Sequence, residues 1–180
     1  MTLELDPDTP VHRRKPLPRA AGRGRLVVAE VVADQTLDAL RRFRGDDGRH
    51  EGIVLWSGRR SDEDTIVCSA IVPEAGHTWG SVRIGRAAVG KAARAARRLG
   101  MVIASQVHSH PGTDTRHSDG DDDMILLPFE GMFSLVIASY GDGSIRPREG
   151  AGLHQFQDGR WVAVDDADEV MVVAPALLVP

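Results

Sequence analysis

Residues 101–121 read MVIASQVHSHPGTDTRHSDGD. The run Met101–Val107 is apolar and rich in β-branched residues, the character of a buried strand, and along a strand residues i and i+2 point to the same side. His108 and His110 therefore aim together from the end of that strand. Pro111 follows at once, and the clash of its ring with the preceding residue keeps His110 extended and stops a helix there. After a polar loop, Ser118, Asp119 and Gly120 lead into Asp121, Asp122, Asp123 and MILLPF, a capped helical turn with acids near its positive end. On such a turn Ser118 and Asp121, three apart, share a face. Two imidazoles and one carboxylate form the donor set of a catalytic zinc site, which keeps a fourth position open for water. A solvated His-x-His pair beside an acidic surface turn is the common alternative, and the spacing of all four residues argues against it.

The series His108-x-His110, seven residues, Ser118, two residues, Asp121 resembles, without a gap, the signature of the JAMM metalloproteases, the catalytic branch of the JAB/MPN domain family. The wording HSDGDDDMILLPFEGMFSLVIASYG around it is similar to prokaryotic JAB proteins. The resemblance covers roughly 26–140 and implies an upstream glutamate at the start of a neighbouring strand. Glu51, which opens EGIVLWSG, matches that position better than Glu30, Glu63 or Glu74. By this resemblance His108, His110 and Asp121 would hold one Zn²⁺ per chain and lower the pKa of a bound water toward about 7. Glu51 would be general base and then general acid, and Ser118 would stabilise the oxyanion. The reaction implied is amide hydrolysis.

Substrates in that family are mostly ubiquitin or ubiquitin-like proteins joined through their C-termini, with the extended tail held as an added strand. The stretch PEAGHTWGS, 73–81, corresponds by position to the loop that takes the tail, so His77 and Trp79 are candidate substrate contacts; an equally open reading has Trp79 merely anchoring the loop on the following helix. The expectation is a deconjugating isopeptidase or a modifier-maturing protease, working beside bacterial activating and conjugating enzymes. The alternative is a zinc hydrolase of a small amide or short peptide, such as an amino acid on a sulfur-carrier protein or a cell-wall or phage-tail peptide. A non-catalytic scaffold of the same fold would lack a ligand or the glutamate, and a zinc deaminase needs Pro-Cys-x-x-Cys, whereas this chain has one cysteine.

With 180 residues, 42% of them hydrophobic, the chain can bury one sizeable core. A net charge of −4 gives no reason to expect nucleic acid as a partner. No stretch of about 18 apolar residues suggests a membrane span, and MTLELDPDTP lacks the order of a signal peptide, so a cytoplasmic protein is expected. Cys68, within TIVCSAIV, reads as a buried strand residue. Arginine greatly outnumbers lysine, which occurs only at Lys15 and Lys91; a genome rich in G and C is the favoured reading, and avoidance of lysine by an enzyme working beside lysine-modifying machinery is the open alternative.

Residues 1–24, with four prolines and several arginines, read as a flexible basic arm without enough apolar mass to pack. The domain is expected over 25–165, and 166–180 as a tail or an added strand. Strands are predicted at 26–32, 52–56, 65–72 and 133–139, and a short helix is marked by Leu37, Leu40 and Phe43. A long helix is predicted over 82–99, its apolar face Ile84, Ala88, Ala92, Ala95 and Leu99. LHQFQDG and RWVAVD read as a hairpin about Asp158 and Gly159. The order gives an α/β domain with a mixed central sheet flanked by helices, similar to the JAB/MPN fold and akin to that of cytidine deaminase.

Overall fold

The alternating apolar runs become strands and the alanine-rich stretch becomes a helix. The computed structural model describes residues 13–124 and 128–176. In chain order its elements are β1 (Arg19–Ala20), β2 (Arg25–Ala29), α1 (Glu30–Leu40), β3 (Arg44–Gly45), β4 (Gly48–Arg49), β5 (Ile53–Arg60), β6 (Asp64–Ile71), β7 (Ala75–Thr78) and β8 (Ser81–Ile84). There follow α2 (Arg86–Arg98), β9 (Val102–Ser109), α3 (Asp119–Asp122), β10 (Phe133–Ile137), β11 (Gly152–Gln157), β12 (Arg160–Val164), α4 (Ala167–Val170) and β13 (Met171–Ala174). One mixed sheet runs β1-β12-β11-β10-β9-β5-β6-β2-β13, while β3 with β4 and β7 with β8 form separate hairpins. The α/β class and the mixed sheet are those expected.

Successive side chains of a strand face opposite ways, so β5 serves two cores at once. Val54 and Trp56 pack with Val32, Ala33 and Leu40 of α1, and Ile53 and Leu55 pack with Ala92 of α2. The Trp56 indole N–H donates to Thr36 Oγ1 at 2.8 Å, which satisfies both polar atoms beneath α1. β9 carries an extra residue, Ala104, where its pairing with β5 shifts, so that Ile103 and Val107 fall on opposite faces. Beyond the bulge His108 lies opposite Ile53, on the α2 side of the sheet.

Several expectations are corrected. Residues 26–32 are not all strand: the chain turns helical at Glu30, and Val32 faces the core from α1. Residues 81–84 form β8 and not the start of the long helix, because Val82 and Ile84 alternate with Ser81 and Arg83 and both are buried. The helix starts at Arg86, its buried residues are Ala92 and Ala96, Ala95 is exposed, and Leu99 is 69% exposed. Cys68 is exposed, since the inward positions of β6 are Thr65 and Val67.

The arm expected over 1–24 is, from residue 13 on, packed against the domain. Arg19–Ala20 pairs in parallel with β12, and Arg23 N–H donates to Gln155 Oε1. At the other end the choice between tail and strand falls to a strand, β13, which pairs in parallel with β2. Residues 1–12 of the arm, 125–127 of the MILLPF run and 177–180 lie outside the described residues. No helix among the described residues is long and apolar enough to cross a membrane.

Candidate metal centre

The C-terminal end of β9 and the short α3 meet at three side chains, those of His108, His110 and Asp121. His108 is the penultimate residue of the strand, and His110 lies just past its end, tied to β10 by its N–H to the Ile137 carbonyl. Their Nε2 atoms lie 3.3 Å apart. Asp121 comes from α3, where Ser118 caps the helix: the Ser118 hydroxyl accepts the Asp121 N–H at 3.2 Å and the Asp121 carboxylate accepts the Ser118 N–H at 2.6 Å. That reciprocal pair aims the carboxylate back at the histidines. Asp121 Oδ1 is 3.3 Å from His108 Nε2, and Oδ2 is 3.1 Å from His110 Nε2. All three residues are buried.

The donor set fits a cation. His110 Nδ1 lies 2.7 Å from the Asp114 carbonyl, which can only accept, so the Nδ1 proton is there and the Nε2 lone pair of the neutral ring points at Asp121. The His110 lone pair and the Asp121 carboxylate, 3.1 Å apart, repel one another unless a proton or a cation sits between them, and His108 Nε2 completes a group of donor atoms within 4.8 Å of one another. The same demand appears in the acid–base behaviour. Burial, the largest influence, pulls His110 down, but the hydrogen bond and charge of Asp121, with Glu51 adding, together raise it to about 8. His108 is lowered, burial outweighing Asp121. Burial would raise Asp121, yet the two histidines together hold it well below the usual carboxylate range.

Glu51 precedes β5 by two residues and is also buried. Desolvation lifts its carboxyl to about 8, with the His110 charge opposing and the Asp121 charge adding, so the three groups share one electrostatic site. The Glu51 N–H donates to the Thr78 carbonyl at 2.9 Å, which fastens the β7–β8 hairpin beside it. Ser118 contributes as the cap, a role that uses a lone pair of its hydroxyl and leaves the O–H proton for donation.

His77 lies in β7 and Trp79 in the turn between β7 and β8. His77 Nδ1 meets His50 Nδ1 at 2.8 Å and its ring stands edge-on to Phe43, so it holds the hairpin to the loop before Glu51. Trp79 is 47% exposed.

Groups the sequence did not single out complete the surroundings. Tyr140 donates its O–H to the Trp79 carbonyl at 2.9 Å and its backbone N–H to the His110 carbonyl at 2.8 Å, joining the hairpin to the loop that follows β9. It does so from left-handed backbone, as does Ser139 (φ 56° and 54°), a conformation non-glycine residues adopt only where the surroundings over-determine it. His117 is fully buried, stacked on His154 at 4.1 Å and 5.6 Å from the His108 ring. Gly152 lets β11 approach the loop after β9, since a Cβ there would lie 1.9 Å from the Thr115 carbonyl oxygen. Only the adjacency of His117 to Ser118 hinted at any of these in the sequence.

A family profile of prokaryotic homologues of the JAB domain matches residues 33–150. A Sinorhizobium fredii protein described as a probable metalloprotease is 30% identical over 112 residues, or 58% of this chain and 66% of that protein's length. A Desulfitobacterium hafniense protein of known solution structure superposes with a TM-score of 0.59 at 17% identity, over 84% of this chain and 94% of that one, a likeness of fold. A JAB1/MPN domain protein from Archaeoglobus fulgidus aligns over 84% of this chain and 99% of that one, with 18% identity and a TM-score of 0.44.

Proposed function

Since the chain belongs to the family of prokaryotic JAB-domain homologues, we propose that it is a zinc-dependent peptidase that hydrolyses the amide bond at the C-terminus of a ubiquitin-like modifier. The observation that carries the hydrolytic reading is the convergence of His108, His110 and Asp121, with the buried Glu51 carboxyl coupled to them. A divalent metal held by these three residues supplies Lewis acidity and a water acidic enough to give hydroxide near neutral pH.

The chain's own groups then have defined tasks. A Glu51 carboxyl held near 8 by burial is a stronger base than an exposed one, and positive charge placed beside it brings its acidity toward neutrality. It takes a proton from the attacking water as the new C–O bond forms, and returns that proton to the amide nitrogen as the C–N bond breaks. The Ser118 O–H donates to the carbonyl oxygen as negative charge builds there. Asp114, through its carbonyl, keeps the His110 ring turned with Nε2 inward.

Support for an extended protein tail as substrate comes from the hairpin. Among the described residues β7 and β8 form a two-stranded sheet of their own, held beside Glu51 by its N–H to the Thr78 carbonyl, and Trp79 at the tip is exposed. An extended peptide can add to such an edge by main-chain hydrogen bonds, with Trp79 and His77 as side-chain contacts. The test is incubation of zinc-loaded protein with ubiquitin-like modifiers carrying a C-terminal extension or an isopeptide-linked lysine, read by intact mass. Cleavage after the modifier's last residue, abolished by a chelator and by Glu51→Gln, is the expected result. Intact fusions together with chelator-sensitive cleavage of small amides or cell-wall dipeptides would replace this substrate class by the small-amide alternative.

A further inference from the structure

We propose that Arg13 is a positioning residue of the metal centre, acting through the peptide group that joins His117 to Ser118; this rests on the reading that the centre holds a metal. Composition marks this arginine as part of a solvated arm, yet its side chain is only 15% exposed. Its Nη1 donates to the carbonyls of His117 at 3.2 Å and Ser118 at 3.3 Å, and its Nη2 to Asp122 Oδ2 at 2.9 Å. The next residue adds a contact, Arg14 N–H to Asp119 Oδ2 at 3.1 Å. The guanidinium thus grips both ends of the turn that carries Asp121.

One of these contacts has a direct line to the ligand. The His117 carbonyl and the Ser118 N–H belong to a single planar peptide group. Arg13 holds its oxygen, while its N–H is the 2.6 Å donor to Asp121 Oδ2. A cation on the carbonyl fixes the plane of that group and polarises the N–H at the other side, strengthening the bond that aims the carboxylate. α3 has four residues, too few to hold its own geometry, so the turn depends on what grips it.

A second chain of bonds ends on the same arginine. Gln106 Nε2 donates to Ser134 Oγ at 3.0 Å, which directs the Ser134 proton to His117 Nε2 at 2.8 Å and leaves the His117 proton on Nδ1, 3.2 Å from Asp122 Oδ1. Arg13 binds the other oxygen of Asp122. The turn is therefore anchored inward to β9 and β10 through His117, and outward to the N-terminal segment through Arg13.

The test uses the full chain, stripped of metal, with Arg13→Gln, Arg13→Lys and Asp122→Asn. Zinc affinity is read by competition with a chromophoric chelator, the ligand field by the visible spectrum of the cobalt-loaded protein, and folding by the melting temperature of the metal-free form. Arg13→Gln should weaken zinc binding roughly tenfold to a hundredfold, the scale on which groups supporting a ligand act, and shift the cobalt bands. Arg13→Lys should recover part of the affinity, since an ammonium can reach Asp122 or one carbonyl but lacks the fork to hold all three. Asp122→Asn should reproduce the loss by removing the carboxylate that Arg13 and His117 share, with every residue of the N-terminal segment unchanged, which covers the case of an Arg13 variant that folds poorly. Unchanged zinc affinity and cobalt spectrum in Arg13→Gln or Asp122→Asn would overturn the proposal. A parent protein that binds no zinc removes the metal reading itself, and the proposal with it.

Discussion

Replacing Glu51 by glutamine should make the metal-free protein more stable relative to the parent as the pH rises. The residue is 6% exposed, and burial, ahead of the opposing His110 and the reinforcing Asp121, lifts its carboxyl from 4.5 to about 8. A carboxyl raised by folding contributes fully below its unfolded pKa, and that contribution is lost as the pH climbs through the folded one. At pH 5 the unfolded chain is only partly ionised and the loss is about 1 kcal/mol; at pH 7 it is fully ionised while the folded group still holds its proton, and the loss reaches about 3 kcal/mol. Glutamine has no such proton to lose. The stability difference between Glu51→Gln and the parent should therefore grow by about 2 to 3 kcal/mol from pH 5 to pH 7. Urea unfolding of both metal-stripped proteins at the two pH values measures it, and the titrating groups that do not sense the Glu51 charge cancel between them. Parallel pH profiles for the two proteins would refute the reasoning, because they would mean that Glu51 is solvated.

Zinc must displace the proton that His110 retains up to about 8, so apparent zinc affinity should fall about tenfold for each pH unit below that value, as chelator competition would show. The same pKa means that the His110 contribution to metal-free stability is full below 6.5 and is lost as the pH rises through about 8. His108→Ala, His110→Ala and Asp121→Ala should abolish zinc retention after dialysis, whereas Glu51→Gln should keep zinc, measured by elemental analysis, and lose most turnover. Gly152→Ala forces a methyl onto the Thr115 carbonyl beside the loop that orients His110; a stability loss of about 1 to 3 kcal/mol and weaker zinc binding should appear together in unfolding and competition assays. Tyr140→Phe deletes the tie to the Trp79 carbonyl, a bond worth about 1 kcal/mol. Amide hydrogens of residues 75–84 should then exchange roughly fivefold faster, with zinc affinity unchanged.

How much could be read in advance varies by element. β5, β9 and β10 are long β-branched runs buried in the sheet, and the hairpin β11–β12 turns on Asp158 and Gly159, both left-handed (φ 51° and 77°), as an Asp-Gly pair favours. Where apolar residues fall on both parities, pattern alone leaves the register open: in β6 it is Thr65 and Val67, not Ile66 and Cys68, that face inward. Where alanine is abundant, small residues satisfy more than one helical face, so the buried side of α2 passes through Ala92 and Ala96 and leaves Leu99 outside. The N-terminal arginines carry no periodic signal, and the burial of Arg13 among them depends on an acid more than a hundred positions away, Asp122.

Sequence by itself determined the cluster of candidate ligands His108, His110 and Asp121 and its Ser118 cap, because the four lie within fourteen residues and local rules suffice to bring them together: strand alternation, a proline stop and a helix cap. Tertiary structure decided everything that depends on residues distant along the chain. It brought Glu51 to the site by pairing β5 with β9, raised its carboxyl by surrounding it with protein, and set the β7–β8 hairpin and Tyr140 around it. It also closed Arg13 over the turn that holds Asp121. The physical reason is range: backbone propensity and capping act over three or four residues, whereas desolvation, register and long-range ion pairs exist only once the chain has closed on itself.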